Sequence, residues 1–440
     1  MEHTISPLDN RYSKQIEEVC EIFSHNNFTK IKMFVECEYL KYILSLLYPN
    51  YIENTEIIKN DVDNFYKFFC SNLPNECKII SEIENKTNHD VQALIVYMKE
   101  RISKNYIEYI HFGLTSQDIN SPAMVLTHKI FNKKVFHPGV DELLNILKNM
   151  SENNTLMLTF THGQPATPTT FGRQMSIFAN KISVINNELR ENYEYKTKMG
   201  GSNGTLSSLK TIFPEHNWNN LIRKFVETRL CLNRNEYTVQ IDDYTNYYKL
   251  FQIYQRMCVV LINLCQDFWF YCSKKYIKLK NIEGEVGSSA MPHKINPIHF
   301  ENAEGNLKLC IDIFESIGRN ICINRLQRDL TDSTMLRNVG VACGHMILAI
   351  KNIIKGLSRV EINEEVIGKD LDNNSIVLME LIQLKLRSKG FTDAYNLCKI
   401  FSRGKETFDV VQFMAYLKEN NVELTDELIK ELDINIEVFY

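Results

Sequence analysis

A chain of 440 residues, 44% hydrophobic and 24% charged, can bury a large core and has room for about two or three domains. Its net charge of −4 offers no basic field to a nucleic acid, although a local cationic pocket for a small anion stays open. The start, MEHTISPLDNRYSKQ, has no signal-peptide core, and the most apolar run, MCVVLINLCQDFWFY, is broken by Asn263, Gln266 and Asp267 and is too short to span a bilayer.

In chain order, the first polar cluster is DNRYS (9–13), and the second is KTNHD (86–90) ahead of the apolar-periodic VQALIVYMKER. Asn88 or Asp90 can cap that helix. A break near Asn105 precedes YIEYIHFGLTSQD, in which Ser116 or Asp118 can cap a helix running through Val125. Periodicity predicts helices from Ser121 to about Met150 and from Thr170 to about Met199. Between them, THGQPATP (161–168) reads as a turn leading into a helix, and GGSNG (200–204) as a tight turn.

From Tyr244 to Lys280 no Gly or Pro occurs, and Leu250, Tyr254, Met257, Leu261, Leu264, Phe268 and Tyr271 repeat at helical spacing. Such a helix would run roughly 50 Å. Cys258, Cys265 and Cys272 recur every seven residues on one face of it, as reduced core residues would. Further helices are predicted from Asn302 to about Ile317 and from Thr334 to Leu357, with a break near Gly356. Strand alternation is scarce. The fold class expected is all-α, a long central helical bundle, in segments 1–105, 106–356 and 357–440. Helices this long, apolar over more than a narrow stripe, point to an oligomeric bundle.

The stretch GEVGSSAMPHKINPIHFENAEGN (284–306) stands apart. It holds three glycines and two prolines in a chain with only 17 Gly and 10 Pro, together with adjacent serines, two histidines and a lysine. A sixth cluster, RLQRDLTDSTMLRN (325–338), sets three arginines beside Ser333 and Thr334. Taken singly, most clusters read as caps, turns or solvated faces. Together they place His, Ser, Thr, Lys and Arg at helix ends, where small anions and catalytic groups can meet. There is no GxxxxGK[ST] loop, no GxGxxG after a strand and no HExxH, and the histidines are too scattered for a metal cluster.

GSSAMPHKINP is similar to the signature loop of the fumarase/aspartase superfamily, whose members release fumarate from a Cα–N or Cα–O bond. FENAEGN, TNHD, TSQD and THGQPATP resemble the adenylosuccinate lyase family in particular, over about Arg11 to Leu357. That resemblance implies a three-domain, all-α homotetramer with active sites shared between chains, and no cofactor; the reduced cysteines and the lack of a signal-peptide core point to a cytoplasmic location. It implies elimination of fumarate from adenylosuccinate, giving AMP, and from the succinyl-carboxamide ribotide SAICAR, giving AICAR.

It further implies Ser288 as general base, Lys294 as its cationic neighbour, His162 as general acid, Glu301 as the partner of that histidine, and His89 as a second histidine lining the site. For substrate binding it implicates Arg11, Tyr12, Asn88, Asp90, Thr115, Ser116, Gln240, Ser289, Asn296, Asn302, Arg328, Ser333, Thr334 and Arg337. Arginines and hydroxyls suit a phosphate and two carboxylates. Neither a nucleic acid nor a membrane is an expected partner. Another superfamily lyase, of argininosuccinate lyase or aspartase type, and a catalytically silent helical scaffold are the competing readings. The ending LTDELIKELDINIEVFY departs from the Pro-Tyr-Gly type of many relatives.

Overall fold

The computed structural model describes residues 5–47, 52–282, 284, 290–423 and 425–439. Ser288 and Ser289 therefore lie outside the described residues. The fold is mostly helical, and its longest helices are His25–Leu47, Phe171–Glu191, Thr245–Ser273 and Ile298–Ile321. Three two-stranded sheets complete it among the described residues.

Several helices end where local chemistry interrupts the period. The segment expected as one helix to Met150 is Gln117–Phe131, a π turn at Asn132–Phe136, and His137–Met150. Pro138 explains the widened turn: it has no N–H, and its ring would clash with the carbonyl four residues back. Accordingly, the His137 N–H reaches back to the Asn132 carbonyl.

The helix expected to reach Lys280 stops at Ser273, giving 29 residues and roughly 43 Å. Lys275 turns left-handed at φ 59°. Its N–H bonds the Cys272 carbonyl at 3.0 Å and the Tyr276 N–H bonds that of Tyr271 at 2.9 Å. That pair is a Schellman closure, made here without the usual glycine. Ile277–Leu279 then forms a strand antiparallel to Val360–Ile362. Likewise, the run expected to reach Met199 ends at Glu191, and Lys196–Lys198 pairs in parallel with Asn233–Asn235.

The chain forms two compact units. The first comprises Met1–Asp141, Ile185–Ile262 and Ala303–Lys351. Its core is aromatic: Phe251 stacks on Phe314 at 4.9 Å, and Tyr254 lies 5.3 Å from Phe136. The Tyr254 hydroxyl donates to Asn132 at 2.5 Å, which ties the π turn to the core. Cys258 and Cys310 are buried free thiols 3.6 Å apart. In the second unit, Cys265 is buried and Cys272 half-buried. Among the described residues one segment, Thr331–Leu357, is apolar and long enough to cross a membrane, and 72% of its most apolar window is buried inside the protein.

The second unit comprises Glu142–Val184, Asn263–Asn302 and Asn352–Tyr440. Here Phe268 stacks on Phe300 at 5.0 Å. A separate cluster of Ile382, Leu386, Phe413, Leu417 and Leu432 closes the C-terminal helices. The divergent tail serves that cluster. Thr425 caps the Asp426–Leu432 helix, Leu428 and Leu432 are buried, and Ile434, Ile436 and Phe439 pack against the same core.

Candidate active site

His162 does not sit on a turn entering a helix. THGQPATP instead forms most of a hairpin, with Leu156–Thr161 antiparallel to Gln164–Thr170 and Thr161 opposite Gln164. The two-residue loop is His162 at φ 53° and Gly163 at φ 74°. Two successive left-handed residues make a type I′ turn, whose twist matches that of the flanking strands. Phe160 anchors the hairpin edge-on against Phe270 at 5.1 Å. His162 is thus held out at the tip, exposed, with no side-chain partner among the described residues.

The described part of the signature loop begins at Ala290. Lys294 is exposed and Asn296 half-buried. The Pro297 carbonyl accepts from the Phe300 and Glu301 N–H groups as Ile298–Ile321 starts. Glu301 lies in the first turn, where its charge complements the helix dipole. Within the chain it accepts from the Trp269 indole at 3.2 Å, and no bond joins it to His162. Asn302 follows, half-buried.

The first unit gathers most of the other candidates. Asn88, at φ 54°, closes the helix Leu73–Thr87. The cap of Asp90–Arg101 is His89 rather than Asn88 or Asp90: its Nδ1 accepts from the Gln92 N–H at 3.1 Å. That acceptor role places the proton of the neutral ring on Nε2. Asp90 pairs with Lys32 at 3.0 Å. Burial raises its carboxyl, but Lys32 outweighs burial and holds it below the usual value. Thr115, Ser116 and Gln240 are half-buried, and Ser116 stands at the start of Gln117–Phe131 without capping it. Arg11 lies over the Tyr12 ring at 5.7 Å.

In the arginine cluster, Ser333 is half-buried while Thr334 and Arg337 are exposed. Arg328 Nη1 is buried with no hydrogen-bond partner, as is Asp332 Oδ1. An orphaned guanidinium nitrogen turned from water is suited to an anionic oxygen.

Beneath these residues lies a polar network of side chains that the sequence does not single out as site residues. Asp118 and Lys198 form an ion pair at 2.6 Å, both side chains fully buried. Burial lowers the Lys198 pKa, Asp118 opposes that, and the Arg328 charge adds to the lowering. Tyr244 donates to Asp332 at 2.7 Å. Burial, with Asp243 beside it, raises the Asp242 carboxyl. Asp118 was visible only as a possible cap and GGSNG only as a turn. Their joint signal is that each stretch leaves polar groups that need a buried partner. Among the described residues no His, Cys, Asp or Glu group is arranged to hold a metal ion.

Comparison with known proteins gives these positions a context. Residues 11–311 match the family model described as Lyase, and residues 324–435 match that described as Adenylosuccinate lyase C-terminal. Adenylosuccinate lyase of Dictyostelium discoideum is 37% identical over 442 residues, covering 98% of this chain and 94% of the relative. That of Buchnera aphidicola subsp. Acyrthosiphon pisum (strain APS) is 37% identical over 414 residues, covering 91% and 89%. The fold resembles the crystal structure of fumarate lyase from Mesorhizobium sp. BNC1, with a TM-score of 0.75 at 15% identity over 94% of this chain and 93% of that one. A match sustained along nearly the whole chain carries one conclusion: the chain belongs to the adenylosuccinate lyase family.

Proposed function

We propose that this protein eliminates fumarate from adenylosuccinate, giving AMP, and from SAICAR, giving AICAR, as a cytoplasmic enzyme of purine nucleotide biosynthesis. The reaction removes a weakly acidic proton from the carbon beside a carboxylate, and the resulting dianion must be stabilised while the departing nitrogen is protonated. Ser288 takes the proton in this reading. A serine hydroxyl is a poor base at neutral pH, so it needs a cationic, water-excluded setting, to which Lys294 contributes. His162 delivers a proton to the nitrogen as the C–N bond breaks, and Glu301 orients the imidazole and favours its charged form. His89, with its proton on Nε2, is a second donor at the substrate.

Arg328, Arg337, Ser333, Thr334, Thr115, Ser116, Gln240, Asn88, Asp90, Asn296, Asn302, Ser289, Arg11 and Tyr12 bind the phosphate, the carboxylates and the purine. The small-residue loop closes over substrate and excludes water. The chain divides into an N-terminal helical segment (1–105), a bundle segment (106–356) and a C-terminal segment (357–440). It works as a homotetramer, with sites completed by residues of different chains. Supporting that assembly are exposed apolar residues on long helices, Val184, Val259, Trp269 and Leu309. Support also comes from a His162 that has no side-chain partner among the described residues.

The observation that carries the proposal is the match to adenylosuccinate lyases along 98% of the chain, with Ser288, Lys294, His162 and Glu301 all present. Incubating the purified protein with adenylosuccinate tests it. AMP and fumarate should appear in equal amounts, and their absence with an intact tetramer overturns the proposal.

A further inference from the structure

Asp118 has no part in the proton transfers above, yet it is the most heavily used acceptor near the candidate binding residues. Its side chain is fully buried. Its two oxygens accept from the Thr115 N–H at 2.8 Å, Lys198 Nζ at 2.6 Å, the Gly200 N–H at 2.7 Å and the Gly201 N–H at 3.1 Å. A carboxylate offers about four acceptor sites, so this one is saturated. Stability alone is a weak reason for such an arrangement, because a buried ion pair is often no better than a well-packed apolar substitute.

What the bonds join is more telling. Thr115 precedes Ser116, and both are candidate substrate contacts. Gly200 and Gly201 open the glycine loop, which leans on the same turn: a Cβ at Gly201 would lie 3.2 Å from the Gly113 carbonyl oxygen. At its other end Gly204, at φ 80°, lies so close to the 238–239 backbone that a Cβ would fall 1.8 Å from the Thr238 oxygen. The next residue but one is Gln240, another candidate contact. Ser121, one turn along from Asp118, accepts the Lys198 N–H at 3.1 Å and donates to Asp242 at 3.2 Å. One buried wedge therefore spaces the segments bearing residues 115, 116 and 240.

We propose that Asp118 is a positioning residue: through the Thr115 amide and the Gly200–Gly201 amides it sets the distance between the Thr115–Ser116 turn and Gln240. This rests on the proposed function only in assigning those three residues to substrate. Asp118→Asn alone strands the Lys198 charge, so the informative variant is the double Asp118→Asn/Lys198→Met, which removes charge from both sides. Its amide keeps one acceptor oxygen, so its nitrogen opposes and releases either the Thr115 N–H or the Gly200 N–H. Asp118→Glu keeps the ion pair and shifts the carboxylate by one methylene.

Both variants should assemble as the wild type does. For both, KM for adenylosuccinate should rise about tenfold or more with kcat changed far less, since contacts formed before reaction are the ones disturbed. In the double variant, hydrogen exchange at the Thr115 or the Gly200 amide should quicken at least about tenfold, with the helix Thr245–Ser273 unaffected. If Asp118→Glu and the double variant keep wild-type KM and exchange, the proposal is overturned. The exchange readout needs no turnover. An inactive wild type with a loosened double variant would defeat the assigned function and keep Asp118 as the holder of the turn. An active wild type with unchanged exchange would defeat Asp118 alone.

Discussion

The turn at Thr115–Ser116 and the hairpin tip at His162 solve opposite problems. The first is locked from within: Asp118 binds its backbone, Lys198 neutralises Asp118, and glycines allow the 200–204 loop to press against both. The second is a type I′ turn on a hairpin anchored by Phe160 against Phe270, and it presents an exposed imidazole with no side-chain partner among the described residues. Residues that fix a substrate gain from rigidity built in before binding. A proton donor gains from being left unpaired until its partners arrive. The difference matches the proposed roles, positioning at the first and chemistry at the second, and each can be tested where it should fail.

The largest effect is expected at the chemical end. Ser288→Ala should lower kcat by about 10²–10⁴-fold or more while leaving adenylosuccinate binding close to wild type, measured by single-turnover kinetics and direct titration. Retention of substantial turnover would remove Ser288 as the base. His162→Ala should be similarly inactive as a pure oligomer. When the two inactive proteins are dissociated, mixed and reassembled, part of the activity should return, because some sites then draw intact His162 and Ser288 from different chains. Differentially tagged mixed tetramers that stay inactive would mean one chain supplies both.

A second histidine sharpens the contrast with the exposed one. His128 is buried, 2.5 Å from the Tyr247 hydroxyl, and burial depresses its pKa from 6.5 to about 4. The unfolded chain then binds a proton before the folded one does. Stability should be intact above about pH 6.5 and fall as pH drops towards 4, by about 3 kcal/mol from this group. His128→Gln should flatten that acid limb in urea unfolding. An unchanged slope would show that another group governs it.

The smallest effect is expected at the binding arginines. Arg328→Ala and Arg337→Ala should each weaken substrate affinity by about 1.5–3 kcal/mol. Arg328 should be the costlier, since its buried Nη1 has no other partner among the described residues. Equal losses would argue that burial adds nothing there, and unchanged affinity in both would remove them from the site.

Helix existence was legible throughout the chain because apolar spacing is a local property. Helix ends were less so. Lys275 terminates the longest helix in a left-handed conformation with no glycine to announce it, and Pro138 widens a turn rather than breaking the helix. The stretch at His162 reads in sequence as a turn before a helix and is a hairpin in the fold. Its strand partners carry Pro and Thr in place of an apolar alternation, and only their pairing reveals them. Candidate site residues were recognisable as polar clusters at helix ends, and their detailed roles came from resemblance. Asp118 was legible only as a cap.

By itself the sequence determined the helical class, the small-residue loop with Ser288 and Lys294, and the clusters of cationic and hydroxyl groups at helix ends. Those depend on residue type and short-range period. Tertiary structure decided which of these groups are already satisfied. Asp118 and Lys198 are 80 residues apart yet share one buried bond, and Glu301 meets Trp269 across 32 positions. Whether a charge is a tool or a strut depends on what faces it across the fold, and that pairing is settled by packing rather than by neighbours in the chain.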